Sequence, residues 1–142
     1  MIIMSVDLGD ARTGIAVCDS GETFAFPKAV IKEKNIERRV QKIAEMAGEL
    51  GAQMIVVGLP KNMDGSLGFR AEECTTEAEK IKETSGLPVH LWDERCTTLL
   101  AHTLLNYSDT RGKKRKETVD AAAAVMILES FLAYRKNSSE SK

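Results

Sequence analysis

The feature that most constrains this chain is a carboxylate set into an apolar strand. Ile2, Ile3, Met4 and Val6 give residues 2–8 the character of a strand at the centre of a sheet, and Asp7 stands near its end. A carboxylate in such a place is costly unless it is paired, hydrogen-bonded or bound to a metal. A plainer reading is also open, because an Asp close before a Gly caps turns. For Asp7 taken alone the two readings are level.

The rest of the chain supplies the frame. Residues 13–18 read as a second strand, joined to the first across Gly9-Asp10-Ala11-Arg12, and residues 24–31 as a third. Pro27 falls inside the third run, which places that strand at a sheet edge or a bulge. From Asn35 the period changes: Ile36, Val40, Ile43, Ala44, Ala47 and Leu50 recur at helical spacing, with Asn35 as N-cap and Gly51 as the stop. Residues 54–57 are wholly apolar, as a strand covered on both faces is. A loop over 61–68 leads to a helix ending near Thr84, and residues 89–92 form a fifth strand. A short helix follows, capped by Thr97 or Thr98 and running through Leu105. After a basic loop, Thr118 caps the last helix, which runs to about Tyr134. The expected fold class is α/β: a mixed five-stranded sheet, three antiparallel strands then parallel ones, with helices on both faces. Residues 1–136 make one domain, and residues 137–142 are expected as a disordered polar tail.

Composition narrows the class. With 142 residues, 43% hydrophobic and 29% charged, the chain is an ordinary globular one. Its net charge of −1 means that any attraction to nucleic acid must come from a local patch. The three cysteines, Cys18, Cys74 and Cys96, form no C-x-x-C pair and suit neither a zinc knuckle nor a disulfide framework. Neither a signal peptide nor a membrane span is read, so a cytoplasmic location is expected.

Two further acids stand out. Asp93 and Glu94 close the fifth strand; strand alternation sends them to opposite faces, so one of them is expected in a cleft. Asp120 lies on a helical stripe continued by Ala124, Ile127 and Phe131, where solvated decoration is a poor explanation. Its alternative role is favourable contact with a helix N-terminus. Ligands of open α/β sheets sit beyond the carboxyl ends of the strands, where Asp7 and Glu94 both fall. Oxygen ligands without His or Cys suit Mg²⁺ or Mn²⁺. Arg111, Lys113, Lys114, Arg115 and Lys116 put five positive charges just before Asp120, fit for a phosphate backbone, although such runs are usually solvated loops. Lys61, in a Gly-containing loop without the Walker pattern, could reach a phosphate too. His90 and His102 share no ligand spacing.

These segments resemble a known family. Residues 6–16 (VDLGDARTGIA), Gly58-Leu59-Pro60 with Asp64-Gly65-Ser66, Asp93-Glu94-Arg95 before Thr97-Thr98, and the 111–116 run with Asp120 together look like the YqgF family. That family is also described as RuvX, as Holliday junction resolvase-like, and as pre-16S rRNA nucleases. The resemblance implies an RNase H-like fold and a Mg²⁺- or Mn²⁺-dependent nuclease whose acids fall on Asp7, on Asp93-Glu94 with Glu94 the choice of the two, and on Asp120. It departs at Cys96, where a larger apolar residue is usual, and at Thr76-Glu77, which replace a common aromatic–small pair. Expected activity is cleavage of structured nucleic acid, RNA favoured over DNA, at the 5′ end of precursor 16S rRNA. Arg12, Lys61, Arg95 and the basic run would hold the backbone, in a monomer or weak homodimer. A resolvase-like DNA endonuclease and a non-cleaving nucleic-acid-binding factor are the alternatives.

Overall fold

A computed structural model describes residues 1–9, 12–59, 69–93 and 112–140. Five strands form one sheet: β1 (Ile3–Leu8), β2 (Arg12–Cys18), β3 (Ala25–Lys32), β4 (Met54–Leu59) and β5 (Val89–Asp93), in the spatial order β3-β2-β1-β4-β5. Helices α1 (Ile36–Leu50) and α2 (Phe69–Ser85) interrupt the strand series, and α3 (Gly112–Glu140) closes the described chain. β1 pairs antiparallel with β2, and β2 with β3; β1 pairs parallel with β4, and β4 with β5. The mixed sheet is the one expected. The helix read over residues 97–105 lies outside the described residues.

Strand alternation sorts the core into two layers. Met4, Val6, Ile15, Ile55 and Val57 face one way and pack on Val40, Ile43 and Ala47 of α1 and on Cys74, Ala78 and Ile81 of α2. Ile3, Ala16, Cys18 and Val56 face the other way and meet Ala124, Ile127, Leu128 and Phe131 of α3. Ile43 is wholly buried, and truncating a side chain of that kind to Ala costs about 2–5 kcal/mol.

Local signals explain the boundaries. The Asn35 side-chain oxygen accepts from the Arg38 N–H at 3.0 Å, and Gly51 ends α1 in the left-handed conformation, φ 71°. β3 is an edge strand, and its ladder with β2 slips between Ile15 and Ala16, where Pro27 sits. Proline has no N–H for a ladder, so edge and bulge both suit it.

Two boundaries need correction. The last helix begins at Gly112, not at a Thr118 cap, so Lys113, Lys114, Arg115 and Lys116 lie in its first turns rather than in a loop. Lys and Arg are good helix formers, and the run carries no internal Gly or Pro. The helix also runs on to Glu140, through residues 137–140 that were expected as a tail. No helix among the described residues is long and apolar enough to cross a membrane.

Candidate active site

Three parallel strands finish at one edge of the sheet. Val6 pairs with Val57 and Val57 with Leu91, and Leu59 pairs with Asp93, so the last residues of β1, β4 and β5 stand side by side. Asp7 is there. Asp93, the residue before Glu94, ends β5 two strands from β1, or about 10 Å across the sheet. Glu94 itself, like Lys61, Arg95 and Arg111, lies outside the described residues.

The direction of α3 brings its first turns to the same edge. The Ser5 hydroxyl donates to the Ala124 carbonyl at 2.7 Å, which pins the helix over β1. Farther along, Arg135 donates to Glu22 at 2.7 Å, and Glu22 also takes the N-terminal ammonium of Met1 at 3.1 Å. The far end of α3 therefore lies where β1 starts, and α3 runs against β1. Two residues on from Ser5 along β1, about 6.6 Å, is Asp7. Four residues back from Ala124 along the helix, about 6 Å, is position 120. Strand and helix thus bring Asp7 and the backbone of position 120 to matching levels on one side of the sheet.

Arg12 joins them. Asp7 pairs with Gly14, so Arg12, two residues before Gly14, points to the same face of the sheet. Asp7 is half-buried, and no hydrogen bond or ion pair engages its carboxylate among the described residues, including the turn cap that was the plainer reading. The Nη1 of Arg12 is buried, and among the described residues it has no hydrogen-bond partner. Buried polar groups are nearly always satisfied. A carboxylate and a guanidinium lie on one face of one hairpin, and among the described residues nothing engages the carboxylate or the Nη1 of the guanidinium.

Gly9 sets the shape of that hairpin. A Cβ at Gly9 would lie 2.3 Å from the Arg12 carbonyl oxygen, so only glycine allows the two backbone stretches to approach. From the opposite side of the sheet the Gly9 carbonyl accepts from Arg39 Nη1 at 2.6 Å, and the Nε of Arg39 donates to Glu77 at 2.7 Å. Arg39 and Glu77 are each 4% exposed. The sequence reading gave neither a role at the site. The signal was there: Arg39 shares the stripe of Ile43 and Ala47, and Glu77 that of Cys74 and Ile81, so each charge sits on an apolar face. A cleft of about 160 Å³ opens beside them, lined by Leu8, Lys34, Ile36, Glu73 and Cys74 as well. It lies on the α1–α2 side, across the sheet from Asp7.

The donor chemistry at the Asp7 edge is oxygen. Cys18 lies at the opposite end of the sheet, Cys74 under α2 on the other face, and His90 stacks on Phe131 with ring centres 5.7 Å apart. Among the described residues no three acidic, His or Cys side chains gather into a metal cluster, and Asp7 is the acid whose side chain is described at this edge. A hard carboxylate with no soft neighbour fits Mg²⁺ or Mn²⁺.

A family model described as RuvX, Holliday junction resolvase, matches residues 1–134. Curated relatives bear the name "Putative pre-16S rRNA nuclease". That of Thermoanaerobacter pseudethanolicus is 39% identical over 96% of this chain and 99% of its own. That of Pelotomaculum thermopropionicum is 44% identical over 93% of this chain and 86% of its own. Among solved structures, T. thermophilus RuvC in complex with a Holliday junction substrate superposes with a TM-score of 0.63 at 14% identity, over 96% of both chains. Fowlpox virus resolvase with Holliday junction DNA superposes at 0.58 and 15% identity, over 95% of this chain and 99% of that one.

Proposed function

This chain belongs to the RuvX family, and from that membership we propose that it is a metal-dependent phosphodiester nuclease acting on the 5′ end of precursor 16S rRNA. Its fold is the RNase H-like one of the resolvases it superposes on. One observation of the chain itself carries the reading. Asp7 and the Nη1 of Arg12 face the same way on one hairpin, and among the described residues nothing engages either.

Asp7 offers hard oxygen to a cation, with Asp120 from α3 and Glu94 from the end of β5 completing the set. Bound there, Mg²⁺ or Mn²⁺ supplies a Lewis acid for a phosphoryl oxygen and lowers the pKa of a ligated water. Arg12 holds a phosphate oxygen on the neighbouring strand, as a guanidinium fork is shaped to do. Lys113, Lys114, Arg115 and Lys116 occupy the first turns of α3, a stretch with no acidic residue in its first turn. Cations at that end oppose the helix dipole. An anionic backbone lying along the turn would offset both the repulsion and the dipole. Arg111, Lys61 and Arg95 extend this grip, and RNA is the favoured substrate.

The test is cleavage of a 16S precursor RNA and a four-way DNA junction by wild type and Asp7→Asn. Cleavage of the RNA that is lost with chelator and in the mutant is the expected result. Cleavage of the junction alone would move the substrate to branched DNA. Tight, salt-sensitive binding without cleavage of either would leave a binding factor and sink the nuclease reading.

A further inference from the structure

Arg39 and Glu77 form a buried ion pair that connects two helices, and the pair does more than join them. The Nε and Nη2 of Arg39 engage the two carboxylate oxygens of Glu77 side by side, the geometry in which guanidinium and carboxylate bind best. The remaining arm, Nη1, reaches across to the Gly9 carbonyl at 2.6 Å. Gly9 lies two residues after Asp7 and three before Arg12, and it is pressed against the Arg12 carbonyl with no room for a Cβ. Anything that fixes Gly9 therefore fixes both site residues of the hairpin.

Stability alone does not call for such a pair, since well-packed apolar residues of similar volume serve a core as well or better. Arg39 is the charge that gives Glu77 a reason to be buried. We propose that Arg39, oriented by Glu77, is a positioning residue for the nuclease site: from the α1–α2 side it holds the Gly9 carbonyl and so sets the Asp7–Arg12 hairpin facing α3. The proposal rests on the reading of Asp7 and Arg12 as site residues.

The decisive variant is the double substitution Arg39→Met/Glu77→Leu. It fills the same space and leaves no uncompensated charge, so it is expected to melt at or above the wild-type temperature. Turnover is expected to fall about tenfold to a hundredfold with KM within about twofold, the pattern of misplaced catalytic groups. Backbone amides of Leu8, Gly9, Arg12 and Thr13 are expected to exchange hydrogen faster. A folded double variant with wild-type kcat and wild-type hairpin exchange would overturn the proposal. Should that variant fail to fold, Arg39→Lys decides: it keeps a charge for Glu77 but lacks the third arm for Gly9. Lowered kcat with faster hairpin exchange supports the proposal, and unchanged values reject it. If Asp7→Asn cleaved like wild type, the site reading would fall on its own. Hairpin exchange in the same variants would then still decide whether the pair holds Gly9.

Discussion

The Ser5 hydroxyl and the Ala124 carbonyl meet at 2.7 Å in a fully buried contact between β1 and α3. Among the described residues it is the polar side-chain link between β1 and α3, so it sets the level at which those two elements meet. Ser5→Ala removes the link without adding bulk, and the carbonyl keeps its place in the helix. The expected loss is about 1 kcal/mol in urea unfolding. The expected functional change is a higher Mg²⁺ concentration for half-maximal cleavage. An unchanged metal dependence in a destabilised variant would mean that the register of α3 does not depend on this bond.

Gly9→Ala tests the turn. The added Cβ would meet a backbone oxygen at 2.3 Å, and backbone cannot swing aside as a side-chain tip can. The hairpin must open, at a cost of about 1–3 kcal/mol. Cleavage in single turnover is expected to drop far more than RNA binding, because the basic turns of α3 are untouched. A Gly9→Ala enzyme with wild-type rate would show that the close approach to Arg12 has no part in the chemistry.

Arg12→Gln removes a cation whose Nη1 finds no partner in the fold. Nothing folded is lost, so the melting temperature is expected to stay within about a degree or two of wild type, as for other changes that break no native contact. Binding of RNA is expected to weaken, and the slope of log K against log salt to fall by about one phosphate contact. An unaltered slope would remove Arg12 from the interface.

Much of this arrangement was legible in the sequence, and the reasons are local. Asn35 caps α1 through the N–H of Arg38, Gly51 stops it with a left-handed φ, and Pro27 marks the edge strand and its bulge. Each of these signals acts within a few residues of itself. Asp7 was legible because an acid among Ile2, Ile3, Met4 and Val6 is costly wherever the chain goes. The start of α3 was misplaced because a run of Lys and Arg states solvation more clearly than conformation. Arg39 and Glu77 were missed for another reason. Each sits on the apolar stripe of its own helix, but neither stripe names a partner for its charge until the two helices are laid side by side. Only then does one apolar stripe deliver the cation and the next the anion, with the Gly9 carbonyl within reach of both helices' contact.

Thr13→Val is a prediction about the same hairpin from its other face. Thr13 is fully buried, and among the described residues its hydroxyl finds no hydrogen-bond partner. Valine has the same shape and the same β-branch, and it leaves no polar atom to desolvate. Unfolding in urea is expected to require about 1 kcal/mol more, the usual scale for a buried group left unsatisfied. Activity is expected to persist, because Thr13 faces α1 and α2 rather than Asp7. A destabilised Thr13→Val would mean that the hydroxyl is satisfied in solution.

The second anchor of α3 is electrostatic, and its pH dependence has a definite sign. Hydrogen bonding to Arg135, above all, holds the Glu22 carboxyl below its ordinary value of 4.5; the N-terminal ammonium adds to this and partial burial opposes it. A carboxyl depressed in the folded state stabilises above its unfolded pKa and loses that contribution as pH falls through the folded value. Glu22 also sits at φ 55°, an uncommon conformation for a residue with a side chain. Glu22→Gln keeps that backbone and removes the charge alone, so the comparison isolates the ion pair. Wild type is expected to melt above Glu22→Gln from neutral pH down to the ordinary carboxylate range, and the gap is expected to close below it. Raising the salt should narrow the gap at neutral pH, since the pair is partly exposed. A gap that persists in acid would assign the effect to packing of Arg135 rather than to its charge. In that case the far end of α3 would be held by the edge-to-face packing of Trp92, on β5, against Phe131.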